Sequence, residues 1–130
     1  MTDILTQVRA LYNANDALKA ALPRFYAGEA PQNTAMPYGV YTIVSNAPIK
    51  TLGGILENVR IQFAIFQKGT KPISNITDIA DLLKTAYDHG ITTTTGHVWW
   101  AHRVMDMVFK VENEWEAVID YRIEKHYEKS

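Results

Sequence analysis

Apolar and polar positions change period several times along the chain, and each change marks an element. Ile4, Leu5, Val8, Leu11 and Tyr12 recur on one helical face, with Thr2 or Asp3 placed to accept hydrogen bonds from the first free backbone amides. The stretch from Asn13 to Asp16 interrupts this short amphipathic helix, and Ala17–Leu22 adds a further turn or two. Pro23 then ends helical geometry, because the residue before a proline is pushed out of the α region. Phe25–Ala27 reads as a short strand.

A polar turn fenced by Pro31 and Pro37 leads into Tyr38–Ser45, a run of aromatic and β-branched residues suited to a pleated surface. Alternation places Val40, Thr42 and Val44 on one side and Tyr41 and Ile43 on the other, and both sides are apolar enough for an interior strand. Residues 46–57 break the pattern with Pro48 and the Gly53-Gly54 pair, which predicts a connection with a flexible tip. Val59, Ile61, Phe63 and Ile65 then alternate with Asn58, Arg60, Gln62 and Ala64, the period-two pattern of a half-buried strand.

Between Asn75 and His89 the period returns to that of a helix, with Ile76, Ile79, Ala80, Leu83, Ala86 and Tyr87 on one face. Asn75 or Thr77 is placed to cap its start, Asp78 suits the positive end of the helix dipole, and Gly90 is placed to end it in a left-handed conformation. Residues 91–96 read as an exposed loop or an edge strand. Two long strands follow, His97–Val111 and Trp115–Tyr127, joined by a tight turn at Glu112-Asn113-Glu114. On the second strand Trp115, Ala117, Ile119, Tyr121 and Ile123 face one way, while Glu116, Asp120, Arg122, Glu124 and His126 face the other, interrupted only by Val118. The predicted fold is α+β: one domain over residues 1–130, with a single-layer, mostly antiparallel sheet of four to five strands and two or three helices packed on one face.

Length and composition agree with one core, since a domain of 130 residues buries roughly two-thirds of the surface its unfolded chain exposes. The formal net charge is -1 and the charges are dispersed, which argues against nucleic-acid or membrane binding driven by bulk charge. Cysteine is absent, which removes disulfides, thiolate catalysis and cysteine-ligated metal sites. The first residues carry an early acid and no long apolar run, so no signal peptide or membrane anchor is expected there and the protein reads as soluble and cytoplasmic.

No reactive constellation stands out. His97 and His102 fall on opposite faces of a predicted strand, His89 suits the C-terminal end of a helix, and His126 lies near the chain end, so no metal and no cofactor are expected. Glu116, Asp120 and Glu124 share a strand face, but a solvated sheet face alternates in the same way, and Arg122 and Lys125 stand nearby to pair with them. Neither Ser45, Ser74 nor Ser130 lies in a nucleophile elbow. Gly53-Gly54 lacks the spacing of a phosphate loop, and Asn75-Ile76-Thr77 matches a glycosylation sequon that helix capping explains as well. Trp99, Trp100 and Trp115 lack the basic groove that accompanies stacking on bases. The expectation is a protein that is not an enzyme.

The order and spacing of four segments carry a resemblance: APQNTAMPYGVYTIVS at 30–45, ENVRIQFAIFQK at 57–68, ISNITDIADLLKTAY at 73–87 and AVIDYRIEKHYE at 117–128. Together they span most of the chain, which resembles the tail-completion or tail-terminator proteins of long-tailed phages. The resemblance implies a virion structural protein, built in the host cytoplasm, that forms a hexameric ring at the head-proximal end of the tail tube. Its implied partners are other copies of itself, the tail tube protein and the head-tail connector protein, with DNA passing through the lumen without specific binding.

Two candidate assembly surfaces follow. The first is Leu52, Gly53, Gly54 and Ile55, where exposed aliphatic residues beside glycines are costly unless a partner covers them. The second is the polar strand face of Glu116, Asp120, Arg122 and Glu124. Three alternatives stand beside this reading: another phage neck protein, a small ligand-binding module with an aromatic pocket near Tyr38, Tyr41 and Trp100, and an enzyme using Asp120, Glu124 and His102.

Overall fold

The computed structural model describes the backbone of residues 2–51, 54–92 and 98–128 and the side chains of residues 4–45, 58–92 and 99–124. Nine elements follow in chain order: α1 (Thr2–Ala14), α2 (Asp16–Ala21), β1 (Phe25–Ala27), β2 (Tyr38–Thr51), β3 (Gly54–Lys68), α3 (Ile73–Tyr87), β4 (Ile91–Thr92), β5 (Val98–Val111) and β6 (Glu114–Glu128). The strands form one sheet in the order β1-β2-β3-β6-β5-β4.

The α+β class and the helices on one face agree with the sequence, but the sheet has six strands and is mixed. β1 runs parallel to β2, with Phe25 opposite Gly39 and Ala27 opposite Tyr41, while every other pairing is antiparallel. Alternation marks a strand without giving its direction, and only the crossover through residues 28–37 makes β1 parallel. Gly39 matters there: a Cβ would stand 2.9 Å from Phe25 Cδ1 and 3.0 Å from Leu22 Cδ2, so its missing side chain lets the Phe25 ring and the Leu22 side chain lie over β2.

The interruption between the first two helices is a cap, since Asn15 Oδ1 accepts from Leu18 N at 3.0 Å and so starts α2. The expected cap at Thr2 or Asp3 falls outside the described side chains. At α3 the expected caps are not used. The helix begins earlier, after Pro72, with no side-chain cap, while Asn75 Oδ1 accepts from Gln67 Nε2 and the Thr77 hydroxyl donates to the Ile73 and Ser74 carbonyls. Asp78 accordingly lies beyond the first turn. Gly90, at φ +94°, closes the other end, its N–H donating to the Tyr87 carbonyl at 3.1 Å.

The segment 46–57, expected as a flexible connection, is mostly paired strand. Its ladder runs from Asn46 opposite Val59 to Thr51 opposite Gly54, and Gly54–Glu57 also pair with Lys125–Glu128 of β6. Leu52 and Gly53 lie outside the described residues.

The core fills the space between the helices and one sheet face. Val59, Ile61, Phe63 and Ile65 of β3 and Ala117, Ile119, Tyr121 and Ile123 of β6 meet Ile76, Ile79, Leu83 and Tyr87 of α3 and Ile4, Val8 and Tyr12 of α1. Phe63 sits at its aromatic centre, with ring centroids 4.7 Å from Tyr87, 5.8 Å from Tyr121 and 6.0 Å from Phe25. Each such side chain contributes about 1.5–3 kcal/mol by leaving water. Polar tips are satisfied within this layer: the Tyr87 hydroxyl donates to the Val8 carbonyl at 2.8 Å and the Tyr12 hydroxyl to the Leu22 carbonyl at 2.5 Å.

Candidate functional site

The register fixes which residues share the sheet face away from the helices. Row by row across β3, β6 and β5 these are Asn58, Glu124 and Trp100; then Arg60, Arg122 and His102; then Gln62, Asp120 and Met105; then Ala64, Val118 and Met107; then Phe66, Glu116 and Phe109. β2 adds Tyr38, Val40, Thr42 and Ser45. The face is therefore polar toward the β2–β3 hairpin end and apolar toward the β5–β6 turn.

Two β-bulges mark the boundary. The β2–β3 register shifts between Ile43 and Ser45, and the β5–β6 register shifts between Arg103 and Met105. Both shifts abut one transverse row, Ile43, Ile61, Tyr121 and Arg103. An inserted residue reverses the alternation after it. Val44 is thus the bulged residue of β2, and Ser45, rather than Val44, continues the face begun by Val40 and Thr42.

In the polar half Arg60 bridges to Asp120 at 3.3 Å and Arg122 to Glu124 at 3.4 Å. The second pairing is the expected one, whereas Asp120 takes its cation from β3. Asp120 is 6% exposed and its Oδ1 has no hydrogen-bond partner, as is true of Asn58 Oδ1 and His102 Nε2. His102 Nε2 lies 3.6 Å from Glu124 Oε1, so the structure brings together two members of the imagined catalytic set, while Asp120 stands on Arg60. Among the described residues no group of three or more His, Asp or Glu is arranged to hold a metal ion.

In the apolar half Tyr38 stacks on Phe66 at 4.9 Å. Glu116 lies between Phe66 and Phe109, and burial, followed by the charge of Glu114, raises its carboxyl above the ordinary range. Met105, Met107 and Val111 are exposed here, with Val104 on the bulge and Trp100 beyond it. Five of the seven exposed large hydrophobic residues among those described thus belong to β5. Met105, Met107 and Val111 escape the sequence because the face assignment of β5 depends on the bulge, and an undisturbed period puts them with Trp99 on the core side.

The predicted site residues divide accordingly. Glu116, Asp120, Arg122 and Glu124 do share the helix-free face, but Asp120 is buried and Glu116 is set in the apolar half. Gly54 and Ile55 belong to paired β3, while Leu52 and Gly53 fall outside the described residues. The proposed aromatic pocket does not form: Tyr38 is on the helix-free face, whereas Tyr41 is a core residue stacked 4.6 Å from Phe25. Trp100 lies in the row of Glu124, at the far end of the face from Tyr38. Two open clefts of about 430 Å³ lie elsewhere, one floored by Met36, Pro37, Ile79 and Leu82, the other bordered by Leu5, Arg9 and Tyr41.

No helix among the described residues is long and apolar enough to cross a membrane. No known protein family matches the chain, and no curated protein matches it either. Among solved structures, the chain is similar in fold to a chain of the virion of a native gene transfer agent particle, with a TM-score of 0.63 at 14% sequence identity over 90% of each chain.

Proposed function

We propose that this is a non-catalytic virion structural protein, a tail-terminator or tail-completion protein that forms a ring at the head-proximal end of the tail tube and docks the head connector. The observation that carries the reading is the likeness of fold, over 90% of both chains, to a component of a gene transfer agent virion. The sheet supports it, because one face is sealed by helices while the other leaves β5 apolar and uncovered, as a subunit awaiting neighbours would. Arg60 and Arg122 are each matched by a carboxylate, so the polar half offers DNA no unopposed cationic track and lets it pass without a tight grip. On this reading the ring is a hexamer, assembly takes place in the host cytoplasm, and the tail tube and head connector are the partners.

Electron microscopy and native mass measurement of the purified chain, alone and with tail tubes, test this reading. Closed rings, free or capping tube ends, are expected. A chain that stays a single protomer in solution and fails to bind tube ends would overturn it.

A further inference from the structure

The sheet has two long strand edges that its own short outer strands leave open. Among the described residues β1 pairs with β2 only at Gly39–Tyr41, and β4 pairs with β5 only at Val98 and Trp99. Among the described residues no strand covers the outer side of β2 from Thr42 to Thr51, or that of β5 from Trp100 to Val111. Proteins usually guard such edges with charge, proline or bulges; here β5 is bulged only at Val104, short of Met107–Val111, and β2 by the single residue Val44. The charges of β5 are engaged within the protomer: Arg103 with Asp88 and Asp106, Asp106 also with Lys84, and Lys110 over the Trp115 ring. β5 has no proline, and β2 has none before Pro48. Among the residues whose side chains are described, six of the seven exposed large hydrophobics lie on these two strands, five on β5 and Val44 on β2.

We propose that the outer edge of β5 in one copy pairs, antiparallel, with the Thr42–Ala47 part of β2 in the next copy. The inference rests on the ring reading above and names the contact that builds the ring. The occupant is a second copy because the two edges match in kind. They lie on opposite sides of one sheet and run antiparallel to each other, and each carries one bulge and an exposed valine, Val44 and Val104. Pairing of unlike edges is head-to-tail and repeats from copy to copy until it closes.

The short strands set the stagger. β1 blocks β2 below Thr42, so a neighbour's β2 fits beside β5 only when its β1 lies beyond the end of β5. That places Thr42 opposite Val111 and, with Val44 as the extra residue of the bulge, Ala47 opposite Met107. Within one protomer Thr42 is level with Met105, through Gln62 and Asp120, so successive copies are offset by six residues, or about 20 Å. The four long strands are together about 19 Å wide. An offset of about 20 Å per 19 Å of sheet inclines the strands by about 45°, close to the roughly 35–45° at which closed sheets settle. Pro48, which lacks the N–H a ladder needs, ends the pairing.

Because the chain has no cysteine, a paired-cysteine test is free of background. Thr42→Cys with Val111→Cys places the two thiols across the proposed contact, both at exposed positions. Under mild oxidation the double variant is expected to give a ladder of covalent multimers, while either single variant stays uncrosslinked and a mixture of the two stops at a dimer. Met107→Lys should weaken association at least tenfold while leaving the protomer folded by circular dichroism. Dimers from one single variant alone would show like edges meeting and overturn the proposal. Rings seen by native mass measurement without a ladder would overturn the edge contact and leave the ring reading standing. A chain that stays a single protomer and also fails to bind tail-tube ends would overturn both.

Discussion

Phe63 and Phe66 stand three residues apart on β3 but on opposite sheet faces, so replacing each by alanine measures what those faces are. Phe63 is 1% exposed and enclosed by Phe25, Tyr41, Tyr87 and Tyr121. Removing its ring forfeits about 2 kcal/mol of transfer free energy and leaves a void of roughly 100 Å³, which at about 24 cal/mol per Å³ adds about 2.4 kcal/mol. The expected loss is about 4 kcal/mol, a large share of the roughly 6–20 kcal/mol that a chain of this length commands. Phe66 is half-buried and its ring partner is Tyr38, so its loss should cost about 1 kcal/mol in the isolated protomer. In urea unfolding followed by tryptophan fluorescence, with a slope of about 2 kcal/mol per molar, the midpoint should fall by about 2 M for Phe63→Ala and about 0.5 M for Phe66→Ala. Equal shifts, or a larger one for Phe66→Ala, would refute the assignment of the core to the helix side of the sheet.

Gly39→Ala should lower stability by about 1–3 kcal/mol in the same assay, because its Cβ would press on the rings and methyls of Phe25 and Leu22; a neutral result would show that these do not lie over β2. Glu116 gives a pH signature. Its folded carboxyl is raised above the ordinary 4.5 by burial and then by Glu114, so above that value the native state holds a proton the unfolded chain has released. Its contribution is therefore fully present below pH 4.5 and is lost as pH rises through the folded value, and Glu116→Gln should flatten that fall in urea midpoints measured between acid and neutral pH. An unchanged profile would mean that Glu116 is solvated like any surface acid. Tyr87 and Tyr121 are pushed far above the ordinary 10.0, both by burial first and Tyr121 also by its hydrogen bond to Asp88 and that residue's charge. Stability should fall as pH passes 10, where only the unfolded chain ionises, and Tyr87→Phe should make that fall shallower in alkaline unfolding curves.

How much of the fold was legible depended on how cleanly each element kept one period. The odd-numbered residues of β3 from Val59, those of β6 and the apolar stripe of α3 could be assigned to the core from spacing alone, and all three elements pack there. The hairpin end was read as a break because Pro48 and the paired glycines are ordinary turn residues. An edge strand tolerates proline, however, when the position of its missing N–H faces no partner, and the outer side of β2 has no partner strand there. The polar half of the candidate surface was legible through Glu116, Asp120, Arg122 and Glu124, but the Arg60 partner of Asp120 was not, since it depends on β3 lying beside β6.

The two bulges explain why the apolar half escaped the sequence and why the surface has two characters. Before Val104 the odd residues Trp99, Ala101 and Arg103 lie on the helix side, whereas after it the odd residues Met105, Met107 and Phe109 lie on the other. One inserted residue thus turns a row of large apolar side chains outward without changing composition or propensity. A strand without that insertion would point the methionines toward the core and Asp106 and Lys110 away from the helices, giving an unremarkable polar surface. The bulge of β2 abuts the same row, which Arg60 and Asp120 bridge from its two sides, and Met105, Met107 and Val111 lie beyond it toward the β5–β6 turn. The one inserted residue of β5 therefore turns Met105, Met107 and Val111 onto the free face, and in the proposed ring the same β5 segment supplies the edge met by the next copy.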